Sequence, residues 1–207
     1  MSWGLLGPES LDSGRRTRTL GLSPAVRFFN DRAVPGIGGV WFGKQLFLAT
    51  LGVALKERGC SSGRQLQNIE TANAVEALAS WLALKSNGWN ADPRVRGATK
   101  MRGKEISFAV ARKRDFYVTQ PMRMATVQAL PALGLVSTNG ARFNSFSCAR
   151  YGHELIEAQM PGYHGEARKS SGQFEVLAKW LTGAPARALG GLSTTEPLTD
   201  AARQILQ

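Results

Sequence analysis

A mainly α-helical chain carrying one small β-hairpin is the fold class this sequence predicts. Three observations predict it. Apolar residues recur at helical spacing in residues 42–58, 68–85 and 172–183; the pair Asn139-Gly140 separates two short apolar runs; and 43% apolar content over 207 residues is enough to bury a core. Residues 1–41 are rich in Gly, Pro, Ser and Arg, and only the run from Ala25 to Phe29 has the apolar density of a strand or docking segment. That stretch is expected to be irregular. Pro35-Gly36-Ile37-Gly38-Gly39 lacks the G-x-G-x-x-G spacing and reads as a turn leading into a helix.

Within residues 42–58, Leu46, Phe47, Leu51, Ala54 and Leu55 share a helical face, and Gly59 follows as a terminator. A second helix is expected from about Asn68 or Thr71 to Lys85, with Val75, Leu78, Ala79, Trp81, Leu82 and Leu84 apolar and Asn87-Gly88 closing it. The polar loop between them has the length of an antiparallel helix connection, so the two helices should pack on each other. Residues 89–104 are basic and broken by Pro93, and the short apolar run beginning at Ile106 is read as a helical turn.

Residues 115–158 follow a definite order: polar turn, short helix, glycine stop, hairpin, closing helix. Pro121 suits a first helical turn, with Thr119 or Gln120 as cap. Met124, Val127 and Leu130 then repeat on one side, leaving Arg123, Thr126 and Gln128 toward the other. Gly134 permits a left-handed stop against which Leu135 folds back. Asn139-Gly140 predicts a two-residue turn, because both central positions of that turn need positive φ. Phe143 and Phe146 would pack the returning strand, although their spacing of three breaks alternation, and a closing helix is expected from Tyr151 onward.

Carried by Leu130-Pro131-Ala132-Leu133-Gly134-Leu135-Val136, this region resembles the winged helix-turn-helix superfamily over residues 115–158. The resemblance implies a recognition helix in the DNA major groove and a wing on the backbone or minor groove. It would place Arg123, Thr126 and Gln128 near bases and Arg142 and Asn144 near phosphates, with Thr119 and Gln120 at the helix start also among the nucleic-acid-binding residues. Arg112-Lys113-Arg114 would grip the backbone at the groove edge. The organisation expected is therefore an irregular segment at 1–41, a helical part at 42–91, a winged-helix domain at 92–160 and a C-terminal helical extension at 161–207. That extension holds Phe174, Val176, Leu177, Trp180 and Leu181 at helical spacing, a loop at 184–198, and a short helix capped by Thr199.

Charge points the same way. The chain carries a net charge of +11, and residues 94–150 hold eleven Lys or Arg against Glu105 and Asp115 alone. A concentrated cationic stretch is the footprint of a polyanion contact. Trp89, Phe116 and Tyr117 lie among these charges, where stacking on unpaired bases competes with burial, the favoured reading for Phe116.

Several chemistries find no support. Two cysteines and two histidines at long spacings make no zinc motif, and Cys60 and Cys148 are expected to be buried thiols. Gly43-Lys44-Gln45 lacks the upstream glycine and hydroxyl of a phosphate-binding loop, the acidic residues fit no nuclease signature, and His153 beside Glu154 reads as an ordinary helix histidine. No stretch reads as a membrane span, and the N-terminus has the wrong order of charge for a secretory signal, so a cytoplasmic protein is expected. The function expected is non-catalytic DNA binding without cofactor or metal, as a regulator or as the DNA-contacting subunit of a defence or mobile-element assembly, with double-stranded DNA as partner. Partner subunits, including a homo-oligomer, and no membrane are part of this reading. An assembly subunit that uses its winged helix for protein contact, or an RNA binder, are the alternatives.

Overall fold

A computed structural model describes residues 22–90, 92–165, 171–185 and 191–207. Two long helices, α2 (Gly43–Ser61) and α3 (Asn68–Ser86), form an antiparallel hairpin at the centre. Both are apolar nearly all round, and a helix of that kind is stable only when neighbours cover every face. Thirteen residues of each are buried. The two backbones meet at small residues: a Cβ on Gly52 would lie 2.5 Å from Ala72 Cα. Glycine at 52 therefore sets how closely the pair can pack.

The covering shell consists of short elements. In order these are α4 (Ala98–Met101), α5 (Phe108–Ala111), α6 (Ala129–Ala132), strands β1 (Val136–Thr138) and β2 (Phe146–Cys148), α7 (Arg150–Gln159), α8 (Gly172–Leu181) and α9 (Asp200–Ile205). The two strands pair antiparallel, Val136 with Cys148 and Thr138 with Phe146. Residues 46–84, 95–163 and 174–202 all contribute to one hydrophobic cluster, in which Phe47, Leu78, Leu130, Leu155 and Trp180 are at most 1% exposed. The parts expected as separate units share this core. Thr199 Oγ1 accepts the N–H of Ala202 and caps α9 as expected.

Four local expectations are corrected. Residues 22–33 form a helix, α1, rather than an irregular segment. Leu22, Ala25, Val26, Phe29 and Ala33 do fall on one helical stripe, yet no residue of α1 is buried, so burial is not what orders it. The expected recognition helix is broken into a 3-10 turn at residues 122–126 and the short α6. Pro131 has no N–H, so the carbonyl of Val127 finds no i+4 donor and one continuous helix cannot run through both pieces.

The hairpin tip also differs. Neither Asn139 nor Gly140 has positive φ, and the connection is a longer loop closed by a 3-10 turn at residues 143–145. Thr138 Oγ1 accepts the Gly140 N–H, and Thr138 and Ser145 hydroxyls share a hydrogen bond across the loop. The spacing of three that was irregular for a strand is the period of this turn, which brings the Phe143 and Phe146 rings to 5.2 Å in the core. Finally, Cys60 is exposed and Cys148 half-buried, where both were expected to be buried. The glycine stop is as expected: Gly134 has φ of 65°, and the Leu135 N–H reaches back to the Leu130 carbonyl. No described helix is long and apolar enough to cross a membrane.

Candidate nucleic-acid interface

Glu76 sits in the middle of α3, only 3% exposed, where an unpartnered carboxylate would be costly. Its two oxygens accept the backbone N–H groups of Met122 (2.6 Å) and Arg123 (3.1 Å). These are the free donors at the start of the 122–126 turn, so a side chain from another helix caps it. Burial pushes the Glu76 carboxyl up to about 7, opposed by those N–H groups, by Arg123 and by a hydrogen bond from Tyr117. Ser80 Oγ in turn donates to the Tyr117 hydroxyl at 3.1 Å, and burial beside Glu76 raises the Tyr117 pKa. A core helix thus fixes the position of the 119–124 loop.

That loop divides a cleft. On one side a cavity of about 290 Å³ is lined by Asn73, Arg114, Thr119 and Arg123. On the other, a cavity of about 610 Å³ is lined by Trp41, Arg94, Arg96 and Gln120. Pro121 and Met124 line both. Arg123 Nε donates to Asn73 Oδ1 at 2.7 Å, and its guanidinium lies over the Phe143 ring at 5.5 Å. Burial lowers the Arg123 pKa, Glu76 opposes this, and the neighbouring charge of Arg114 adds to it. Cations are therefore held close together on the first side of the cleft.

The sequence-predicted residues divide into three groups. Arg114, Thr119, Gln120 and Arg123 come together on the cleft. Arg112 and Lys113 are exposed just before it, Arg112 paired with Glu70 at 3.7 Å. Gln128 is exposed on the run into α6, and Arg142 is exposed on the hairpin loop. Two of the residues expected near nucleic acid are occupied within the fold. Thr126 is fully buried, its hydroxyl donating to the Arg123 carbonyl. Asn144 accepts the Ile69 N–H at 3.0 Å and so caps α3, while Asn68 donates to the carbonyls of Phe143 and Phe146. The hairpin loop is bolted to the start of α3 by these bonds.

Sequence reasoning missed Arg94, Arg96 and Trp41. Their signal was weak: two arginines in an unassigned basic stretch and one aromatic just before a helix. Trp41 is 77% exposed, with its backbone N–H held by Gln45 Oε1. Arg94 is paired with Asp92 at 2.8 Å, whereas Arg96 lies near Tyr117 and Lys100 donates to the Asp115 carbonyl. Phe116 and Tyr117 are buried, and Trp89 packs edge-on against Trp81. Among the described residues no three His, Cys, Asp or Glu side chains converge as a metal site. His153 bonds to the Tyr163 hydroxyl at 2.6 Å and Glu154 to Arg150, so the two neighbours serve separate contacts.

No protein-family model, curated protein or solved structure matches this chain.

Proposed function

We propose that this chain binds nucleic acid without chemistry, duplex DNA first, as a regulator or as the DNA-contacting subunit of a larger assembly. One observation carries the reading. Of the eleven basic residues between 94 and 150, ten are exposed and only Arg123 is partly enclosed, with Glu105 and Asp115 the sole acidic residues among them. Ion pairs at the surface are worth little, so most of this charge stays available to phosphates.

In this reading Arg96, Lys113, Arg114 and Arg142 contact the backbone, and Thr119, Gln120 and Gln128 are the side chains with base-edge chemistry. Arg123 contributes mainly by shaping the cleft. The order of turn, α6, hairpin and α7 is compatible with a wing-like role for the loop bearing Arg142. Contact is dominated by phosphates, and sequence preference is modest.

The test is fluorescence anisotropy with a 20-base-pair duplex, a single strand and an RNA hairpin over a range of salt. Affinity for the duplex should fall steeply with salt. The triple variant Arg96→Ala, Lys113→Ala, Arg114→Ala should flatten the log–log slope by about 2 to 3. Unchanged affinity and slope in that variant would refute the proposal, and preference for RNA or single strands would replace its target. An assembly subunit is the second reading, favoured by α1, where Leu22, Val26, Phe28 and Phe29 are all exposed. Its mark would be loss of partner capture, with DNA affinity intact, when Phe29 is replaced by Asp.

A further inference from the structure

A third cavity, of about 450 Å³, opens at the N-terminus of α2 and is closed over by residues 194–198 and α9. Its apolar wall is formed by Phe42, Leu198 and Leu206. Three polar features meet it. Lys44 is 3% exposed, and its ammonium donates to the Gly191 carbonyl at 2.5 Å, with the Phe47 ring 5.5 Å away. An ammonium has three N–H groups, and one carbonyl satisfies one of them. Thr194 is 6% exposed, and its Oγ1 has no hydrogen-bond partner. Residue Phe42 caps the nineteen-residue α2 without any side-chain hydrogen bond, leaving first-turn N–H groups and the positive end of the helix dipole at this wall.

Lys44 is the buried cation of this wall. Arg94 and Arg203 also line the cavity, but each is paired with a carboxylate, Asp92 and Asp200, and Glu196 lines it as well. Burial holds Lys44 down to about 8, with Glu196 opposing, so the ammonium is still charged near neutral pH. The volume falls within the range of small-molecule sites, which combine an apolar wall with a few placed polar groups.

We propose that this cavity binds a small amphiphilic anion, with a carboxylate or phosphate-monoester head at Lys44 and Thr194 and an apolar body against Phe42, Leu198 and Leu206. Phe42 and Arg94 line both this cavity and the cleft around residues 119–124, but Lys44 and Thr194 belong to this cavity alone, so the assignment does not rest on the nucleic-acid reading.

Isothermal titration of the full chain with octanoate, octyl phosphate, 1-octanol and inorganic phosphate tests it. At least one of the two amphiphilic anions should bind, and the one that does identifies the head group; octanol and inorganic phosphate alone should bind far more weakly. Lys44→Met should weaken the amphiphile about 10- to 100-fold, the loss expected for a charge-assisted hydrogen bond. The variant's oligonucleotide affinity should be unchanged. Thr194→Val, which keeps the shape and removes the hydroxyl, should weaken binding in the same direction and carries the test if the lysine variant does not fold. Silence of both anions at millimolar concentration, or octanol binding as well as octanoate, would overturn the proposal. So would full affinity in the lysine and threonine variants, whatever happens to oligonucleotide binding.

Discussion

Replacing Glu76 with Gln should remove most of a pH dependence of stability that the native chain carries between about pH 4.5 and 7. The carboxyl is 3% exposed and its pKa is raised from 4.5 to about 7, with burial the largest cause. Between those two values the folded state binds the proton and the unfolded chain does not, so stability falls as pH rises through the window. Each unit of separation is worth about 1.4 kcal/mol, which gives an upper figure of about 3 kcal/mol lost by pH 8. Glutamine is nearly isosteric but offers one acceptor oxygen where the carboxyl offers two, so one of the Met122 and Arg123 N–H groups loses its partner. Relative to the native chain the variant should start lower near pH 5, by about 1 kcal/mol for the lost bond, and gain up to about 3 kcal/mol by pH 8. Urea unfolding followed by circular dichroism at half-unit steps from pH 5 to 8 measures both chains, and their difference cancels every other titrating group. A difference that stays flat across that range would refute the assignment of a buried, proton-binding carboxyl to Glu76.

Three further outcomes follow from single contacts. Gly52→Ala should cost about 1–3 kcal/mol by forcing α2 and α3 apart, read as a lower urea midpoint with unchanged slope, since its Cβ would meet Ala72 Cα at 2.5 Å. Asn144→Ala should lose about 1 kcal/mol through the uncapped Ile69 N–H, yet leave the salt dependence of DNA binding as it was. Arg123→Ala and Arg114→Ala should separate two roles: the former lowers the thermal midpoint by removing the bond to Asn73, whereas the latter weakens DNA without destabilising the fold.

The central helix pair was legible because it depends on local signals. Leu46 through Leu55 and Val75 through Leu84 repeat at helical spacing, and Gly59 and Asn87-Gly88 mark their ends; the observed bounds differ by only a few residues. The Gly134 stop and Thr199 cap were legible for the same reason, since each involves groups a few residues apart. What failed was long-range. Asn139-Gly140 favours a tight turn in isolation, but burying Phe143 and Phe146 together and bonding Asn144 to Ile69 requires a longer loop with a 3-10 turn. Helix α1 was missed because its apolar stripe was sought as buried density, and none of it is buried.

The candidate site shows the same division more sharply. Excess charge in residues 94–150 was visible by counting, and so were Arg114, Thr119 and Gln120, which do reach one cleft. The geometry of that cleft was not visible, because a residue 46 positions earlier in the chain determines it. Glu76 looks unremarkable in sequence, one acidic residue inside an apolar helix. Its carboxyl accepts the first two N–H groups of the 122–126 turn and so pins that turn onto α3, while Pro131 interrupts the helix beyond it. With the turn anchored, Thr126 faces inward and Arg123 folds over Phe143, while Thr119 and Gln120 remain exposed beside Arg114 and Arg96. A reading helix was thereby exchanged for a divided basic cleft. Glu76→Gln removes no cation from the cleft whereas Arg114→Ala removes one, so the former should alter the salt slope of DNA binding far less than the latter.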